Sequence, residues 1–154
     1  MSNPRTVVLQ RIRAALAAAP PEPVTVPRDY DREPLRGCGD VDRFAEAVAE
    51  YRARVLRITP DAIAETVSTL TGPTGDVAVP GDLPAGWVAG VTAIRDDDRN
   101  PLPNSRLETV AAVVTGCAVG IAATGTIALD AGATQGRRAL TLVPDHHICV
   151  VFAE

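Results

Sequence analysis

The chain of 154 residues contains no lysine, and all fifteen of its basic residues are arginine. The absence of lysine excludes a Schiff base to a carbonyl substrate or to a pyridoxal cofactor, and it excludes the P-loop lysine that binds nucleotide phosphates. Codon bias in a GC-rich genome is the simplest origin of this composition. Aromatic residues make up only 3% of the chain, so its core must be built mainly from Val, Ala, Leu and Ile.

Cysteine and serine are also scarce. Three cysteines, Cys38, Cys117 and Cys149, lie far apart and form no CxxC pair. This spacing indicates reduced thiols and does not match that of an iron–sulfur cluster. There are three serines and none stands beside a histidine, which gives no support to a Ser-His-Asp triad.

Long apolar runs and concentrated positive charge are both missing. No run approaches the ~20 residues that a membrane-spanning helix needs, and no stretch resembles a secretion signal. We therefore expect a cytoplasmic protein without a membrane span. The net charge of −4 does not indicate nucleic acid binding, which requires clustered Lys and Arg.

A proline-rich stretch divides the chain into two predicted parts. An amphipathic helix opens at Asn3-Pro4 and is ended by Pro20-Pro21. Residues 20–39 contain five prolines and read as an extended connector. Residues 1–39 are thus predicted as a helix plus connector, and residues 40–154 as the main domain. Whether the first helix packs on its own domain or on a partner stays open.

Helical and strand patterns alternate through the main domain and predict an α/β layer fold. Helices are predicted from Asp40 to about Arg54, and from Thr59-Pro60 to Gly72. Strands are predicted over residues 55–58, 76–79, 87–91, 110–114, 119–123, 127–129, 140–143 and 148–152.

No metal site is predicted. The acidic run 96–98 lacks the alternating acids and distal Glu of a calcium loop, so it reads as part of a solvated loop over residues 95–104. His146 and His147 directly precede the predicted strand over residues 148–152. Adjacent residues of an extended chain point to opposite faces, so the two histidines are poorly placed to share a metal ion, and only His147 and Cys149 would share a face. His147 is a candidate acid/base group, because an unperturbed imidazole titrates near neutral pH. A structural histidine at the start of a strand is the simpler explanation.

Residues 115–152 carry the most informative chemistry. Here an apolar strand is interrupted by Thr124-Gly125-Thr126 and is followed by a glycine-rich loop that ends at Gly136-Arg137-Arg138. Glycine lets backbone amides line a concavity, Thr adds hydroxyl groups, and Arg offers a bidentate fork to carboxylate or phosphate. A hairpin with two surface arginines explains the pattern equally well, and the residues alone do not decide between the two.

A spaced set of residues extends through this segment: Thr115-Gly116, Ile121-Ala122, Thr124-Gly125-Thr126, Gly132, Gly136-Arg137, Leu142, Pro144, His147-Ile148 and Val150-Val151. The set resembles the LUD-domain family in its lactate-utilisation, C-type branch. Residues 11–16 also resemble the opening helix of this family. Two features depart from its pattern. Ala123 replaces a usual acidic residue, and the chain ends at Glu154, before the family's Gly-Pro-Ser motif, which predicts a shortened member or a shortened sequence.

The resemblance implies a Rossmann-like layered sheet, similar to the phosphosugar-isomerase and coenzyme A-transferase group. It implies a component of bacterial L-lactate utilisation that supports oxidation of L-lactate to pyruvate with iron–sulfur partner proteins, and no cofactor in this chain itself. A small carboxylate is the expected ligand, with the Thr-Gly-Thr and Gly-Arg-Arg segments as its site. The alternatives are a stand-alone enzyme acting on a phosphorylated or coenzyme A-linked acid, and a non-catalytic module that binds an organic acid. A second copy of the chain is a candidate to complete the sheet beside the final strand.

Overall fold

A computed structural model of the protein describes residues 3–18, 25–28 and 40–153. The chain divides into two compact units, and helix α1 (Pro4–Ala18) belongs to the first. Helix α1 starts as predicted, with the Asn3 side chain accepting a hydrogen bond from the Arg5 backbone amide. The predicted helix end at Pro20-Pro21 and the position of Cys38 lie outside the described residues. The division into residues 1–39 and 40–154 stays a prediction.

The second unit contains the remaining helices and all the strands of the described chain. Its helices are α2 (Val41–Glu50), α3 (Ile63–Thr71), α4 (Asn104–Leu107) and α5 (Ala139–Leu142), and 3-10 turns occupy Pro60–Ala62 and Ala85–Val88. Its strands are β1 (Asp76–Pro80), β2 (Thr92–Asp96), β3 (Ala112–Thr115), β4 (Val119–Ile121), β5 (Thr126–Ala128) and β6 (His147–Cys149). Within the parts of the chain that are described, no helix is long and apolar enough to cross a membrane.

Four strands form a central sheet in the order β2-β1-β3-β6, and every neighbouring pair is parallel. Strands β4 and β5 pair separately as an antiparallel hairpin. The predicted α/β fold class is therefore confirmed. The closer comparison with the phosphosugar-isomerase group stays a prediction.

Hydrophobic side chains cover both faces of the central sheet, because successive residues of a strand point to opposite sides. One cluster contains Ile63, Val67, Val77, Val79, Leu83, Val88 and Val114. The other contains Ala78, Leu107, Val113 and Leu140. Helix α3 thus contributes to one cluster and the short helices α4 and α5 to the other, so the sheet is a buried middle layer, as parallel sheets usually are.

The predicted start of α2 and the predicted end of α3 are confirmed. The Asp40 carboxylate caps α2 by accepting a hydrogen bond from the Arg43 amide at 2.9 Å. The turn at Pro60 leads into α3, which ends at Gly72 with a φ of 74°. Helix α2 ends at Glu50 rather than near Arg54, since Arg52 adopts a left-handed φ of 63°.

Three strand predictions are wrong. Residues 55–58 pair with no strand of the described chain, residues 85–88 form a 3-10 turn, and residues 140–143 lie in and just after helix α5. Short apolar runs fit a strand or a buried helical turn equally well by pattern, so tertiary packing decides between them. The last strand is also shorter than predicted and ends at Cys149.

Candidate anion-binding site at the carboxyl edge of the sheet

The loop from Asp130 to Arg138, called here the 130–138 loop, crosses the carboxyl edge of the central sheet. The Thr134 amide donates a hydrogen bond to Asp82 Oδ2, just after β1, at 2.8 Å. The Gly116 amide, just after β3, donates to the Thr134 carbonyl at 2.9 Å. A side chain at Gly116 would collide with the Thr134 hydroxyl, which explains the glycine there. The chain adds β2 on one side of β1 and then β3 on the other side, so the strand order reverses at β1. Open α/β sheets bind ligands at such a switch point.

A reciprocal pair of side chains closes the 130–138 loop on itself. Asp130 Oδ1 accepts hydrogen bonds from Gln135 Nε2 at 2.8 Å and from the Gly132 amide at 2.9 Å. Gln135 Oε1 in turn accepts from the Asp130 amide at 2.7 Å, and Gln135 is only 4% exposed. The hydrogen bond from Gln135, followed by that from Gly132, lowers the pKa of Asp130 below its ordinary value. Asp130 is therefore a carboxylate at neutral pH.

The backbone of the 130–138 loop is strained. Ala131 and Thr134 have φ angles of 59° and 64°, and Gly136 has one of 65°. A left-handed conformation costs a non-glycine residue on the order of 1–3 kcal/mol and persists only where the surrounding structure enforces it. The hydrogen bonds of Asp130, Gln135 and Thr134 supply that enforcement. Strain held in this way is common at ligand sites, which makes the loop a functional candidate.

Arg137, a predicted anion ligand, forms an internal ion pair. Its Nε and Nη2 atoms donate to Asp96 Oδ2 and Oδ1 at 2.7 and 3.0 Å, and Nη2 also donates to the Leu102 carbonyl. The Asp96 side chain is 2% exposed and that of Arg137 is 30% exposed. Arg137 thus ties the loop to the end of β2. Its Nη1 forms no hydrogen bond to any residue described.

Arg138 has a different environment, although it is the adjacent residue. It is exposed, and its guanidinium pairs with no carboxylate in the described part of the chain. A pocket of about 240 Å³ lies beside it and is called here the loop pocket. The loop pocket is lined by Leu129, Asp130, Ala131, Gln135, Gly136, Arg137, Arg138 and Thr141. Three predicted site residues, Gly136, Arg137 and Arg138, therefore meet at one cavity.

The predicted Thr124-Gly125-Thr126 segment lies elsewhere, at the tip of the β4–β5 hairpin. The Thr124 and Thr126 hydroxyls hydrogen-bond each other at 2.8 Å. Gly125 has a φ of 66°, and a Cβ there would lie 2.6 Å from the Val48 amide nitrogen of α2. The segment therefore packs against a helix, and glycine is the residue that allows the approach.

A second pocket, of about 410 Å³, lies between the hairpin tip and α2. It is lined by Arg43, Glu46, Ala47, Glu50, Tyr51, Ala123 and Thr124. Ala123 and Thr124 thus belong to this second pocket, while the Gly-Arg-Arg segment belongs to the loop pocket. The structure divides between two places what the sequence suggested as one site.

His147 lies at the start of β6, where its Nε2 is 2.8 Å from the Thr115 hydroxyl. Burial, aided by the nearby charge of His146, lowers the pKa of His147. The ring is therefore neutral at neutral pH. In the described portion of the chain, no three His, Cys, Asp or Glu side chains come together in a group that could hold a metal ion.

The thiols of Cys117 and Cys149 lie on neighbouring segments after β3 and at the end of β6. Cys117 Sγ donates to the Val150 carbonyl at 3.8 Å, and Cys149 Sγ donates to the Gly116 carbonyl at 3.7 Å. Burial raises the pKa of Cys149 to about 12 and also raises that of Cys117. Both are protonated thiols at neutral pH and are poor nucleophiles.

Asp96 and Gln135 were not predicted as part of the site. Asp96 was placed in a solvated acidic loop, which is wrong, because it is the buried last residue of β2. The only sequence signal was its place two residues after the apolar Ala93-Ile94 pair, near where a strand would end. No comparable signal marked Gln135.

The chain is similar to known proteins in sequence and in overall fold. Residues 90–154 match the LUD domain. The chain is 37% identical over 148 residues to lactate utilization protein C of Deinococcus radiodurans, which covers 94% of this chain and 66% of that protein. It is also 40% identical to a crystallised DUF162 family protein from the same organism, with a TM-score of 0.66, over 71% of this chain and 66% of that one.

The chain thus spans 66% of the length of each of these two relatives. The LUD match includes the 130–138 loop and strands β2 and β3, at whose ends the loop lies. It does not include β1. From this agreement of sequence and three-dimensional structure, the chain belongs to the LUD-domain family.

Proposed function

We propose that this protein acts in bacterial lactate utilisation by binding a small carboxylate, L-lactate or pyruvate, in the loop pocket. The observation that carries the proposal is the position of Arg138 on the loop pocket, in the loop that crosses the carboxyl edge of the sheet. Its guanidinium pairs with no carboxylate among the described residues. The name of the 37% identical relative supports the assignment to lactate metabolism.

The size of the loop pocket favours a small ligand. Its volume of about 240 Å³ lies below the roughly 300–1,000 Å³ of pockets that hold drug-sized molecules. Leu129 and Ala131 contribute apolar surface to it, and Arg138 contributes a guanidinium that can hold a carboxylate through two hydrogen bonds. Arg137 Nη1, which bonds no described residue, offers further donors. Such a pocket suits an organic acid with a short apolar end.

Oxidation of L-lactate to pyruvate releases two electrons and two protons, and we propose that iron–sulfur partner proteins in the cytoplasm accept the electrons. In this arrangement the present chain binds the acid and needs no redox cofactor of its own. The acid/base role of His147 stays a proposal. Its neutral ring is the form that a general base requires, although Thr115 already occupies Nε2. Ligand binding by Thr124, Gly125 and Thr126, and pairing of a second copy along β6, also stay predictions.

Calorimetric titration of the purified chain with L-lactate, pyruvate and inorganic phosphate tests the proposal. The intact chain should bind an organic acid saturably, and Arg138→Ala should weaken binding at least tenfold, as expected when a charge-assisted contact is lost. Arg54→Ala is the matched control, since this exposed arginine lies on a different segment. Absence of binding, or equal binding by the Arg138 variant, would contradict the proposal. Tighter binding of phosphate than of either acid would favour an enzyme acting on phosphorylated acids.

A further inference from the structure

We propose that Asp130 makes the loop pocket selective for a 2-hydroxy acid over the corresponding 2-keto acid, by accepting a hydrogen bond from the ligand's hydroxyl group at Oδ2. This inference rests on the proposed function, because it assumes that a small carboxylate binds beside Arg138. It adds a specificity-determining residue to that site.

The two oxygens of Asp130 have different surroundings. Oδ1 accepts from both Gln135 Nε2 and the Gly132 amide. Oδ2 has no hydrogen-bond partner in the described residues, and Asp130 lines the loop pocket. One oxygen therefore fixes the carboxylate, and the other is available to a ligand.

The carboxylate is also held in a defined orientation. Gln135 is buried, and its Oε1 is occupied by the Asp130 amide, so its Nε2 is directed at Asp130 Oδ1. Rotation of the Asp130 side chain would break two hydrogen bonds and leave the Gln135 amide group unsatisfied. A preorganised acceptor of this kind binds a donor without first losing side-chain freedom.

Hydrogen-bond chemistry then discriminates between the two acids. An ionised carboxylate can only accept, a ligand hydroxyl can donate to it, and a keto oxygen can only accept. A 2-keto acid would place two acceptors against each other at Asp130, whereas a 2-hydroxy acid would form a charge-assisted bond. Arg138 alone would hold the carboxylate of either acid, so the selectivity is assigned to Asp130.

Asp130 is exposed, so water competes for Oδ2, and the discrimination should be smaller than in a closed site. Buried sites that hydrogen-bond a substrate hydroxyl reject the analogue without it by 10⁴–10⁵. For this open pocket we expect L-lactate to bind about tenfold more tightly than pyruvate, which corresponds to one charge-assisted hydrogen bond.

The test is the ratio of the pyruvate and L-lactate dissociation constants, measured by calorimetry for the intact chain and for Asp130→Asn. The Asn side chain keeps the acceptor at Oδ1 and replaces Oδ2 with an amide NH₂ group, which can donate a hydrogen bond to a keto oxygen. The ratio should fall from about ten to one or below. Asp98→Asn, an equal change of charge at an exposed residue, should leave the ratio unchanged.

The outcomes separate the two proposals. If Arg138→Ala abolishes binding of both acids while Asp130→Asn keeps the intact ratio, the binding site stands and the role of Asp130 is wrong. If the intact chain binds pyruvate as tightly as L-lactate, the role of Asp130 is wrong without any variant. If the intact chain binds neither acid, both proposals are wrong. An unchanged unfolding midpoint shows that Asp130→Asn leaves the fold intact.

Discussion

Replacement of Arg137 with alanine should destabilise the protein far more than the same change at Arg138. Arg137→Ala removes two of the three hydrogen bonds to the Asp96 carboxylate and leaves the Leu102 amide, at 2.7 Å, as its remaining donor. Asp96 would then be a buried anion without a counterion. Arg138→Ala removes an exposed side chain that forms no ion pair with a described residue.

The magnitude follows from burial. Removing one partner of a buried ion pair costs roughly 3–5 kcal/mol, because an uncompensated charge stays behind. The Asp96 side chain is 2% exposed, but that of Arg137 is 30% exposed, so water compensates part of the loss. We expect Arg137→Ala to lower the free energy of unfolding by about 2–4 kcal/mol, and Arg138→Ala to change it by less than about 0.5 kcal/mol.

Urea denaturation followed by circular dichroism measures both variants. With a slope of roughly 2 kcal/mol per molar urea, the Arg137 midpoint should fall by about 1–2 M. The double variant Asp96→Asn/Arg137→Gln should lose less than Arg137→Ala, because it leaves no unpaired charge. Equal midpoints for the Arg137 and Arg138 variants would refute the reasoning, since they would show that the ion pair contributes nothing measurable.

Three further predictions concern the glycine turn, the histidine and the core. Gly125→Ala should lower the free energy of unfolding by about 1–3 kcal/mol, because it adds a Cβ against the α2 backbone at a left-handed φ. Gly86→Ala, whose Cβ would meet open space, should not lower it. Thermal unfolding compares the two variants. Because the pKa of His147 is lowered in the folded protein, the unfolded state takes up this proton at a higher pH than the folded state does. Stability should therefore fall as pH drops through the ordinary imidazole pKa of 6.5. His147→Gln should remove that part of the pH dependence, and an unaltered profile would contradict it. Leu140→Ala should lower the free energy of unfolding by about 2–5 kcal/mol. Leu142→Ala should lower it little, since Leu140 is 0% exposed and Leu142 is 66% exposed. Similar urea midpoints for the two variants would count against this packing.

Features that depend on neighbouring residues were predictable. The cap at Asp40 and the helix end at Gly72 involve groups within four residues of each other, so the sequence pattern alone is enough to predict them. Strands β1 and β3 are short apolar runs that end at turn residues, and both lie close to where they were predicted.

The segment at 140–143 shows why other predictions were wrong. In a strand, Leu140 and Leu142 would share one face, yet one is fully buried and the other is mostly exposed. A helical turn, as in α5, points residues two apart to opposite sides. Hydrophobicity alone could not distinguish a strand from a helical turn at 140–143, because the outcome depends on which face of the sheet the segment packs against.

The sequence alone was sufficient for the α/β class, the family, the start of α2 and the end of α3, because all of these depend on composition, spacing and local hydrogen bonds. It could not tell Arg137 from Arg138. That distinction depends on Asp96, 41 residues away, which the parallel sheet brings to the same edge. Likewise, only the folded hairpin separates Thr124 from the loop pocket. Among the described residues, long-range pairing therefore decided which of the two arginines forms an internal ion pair.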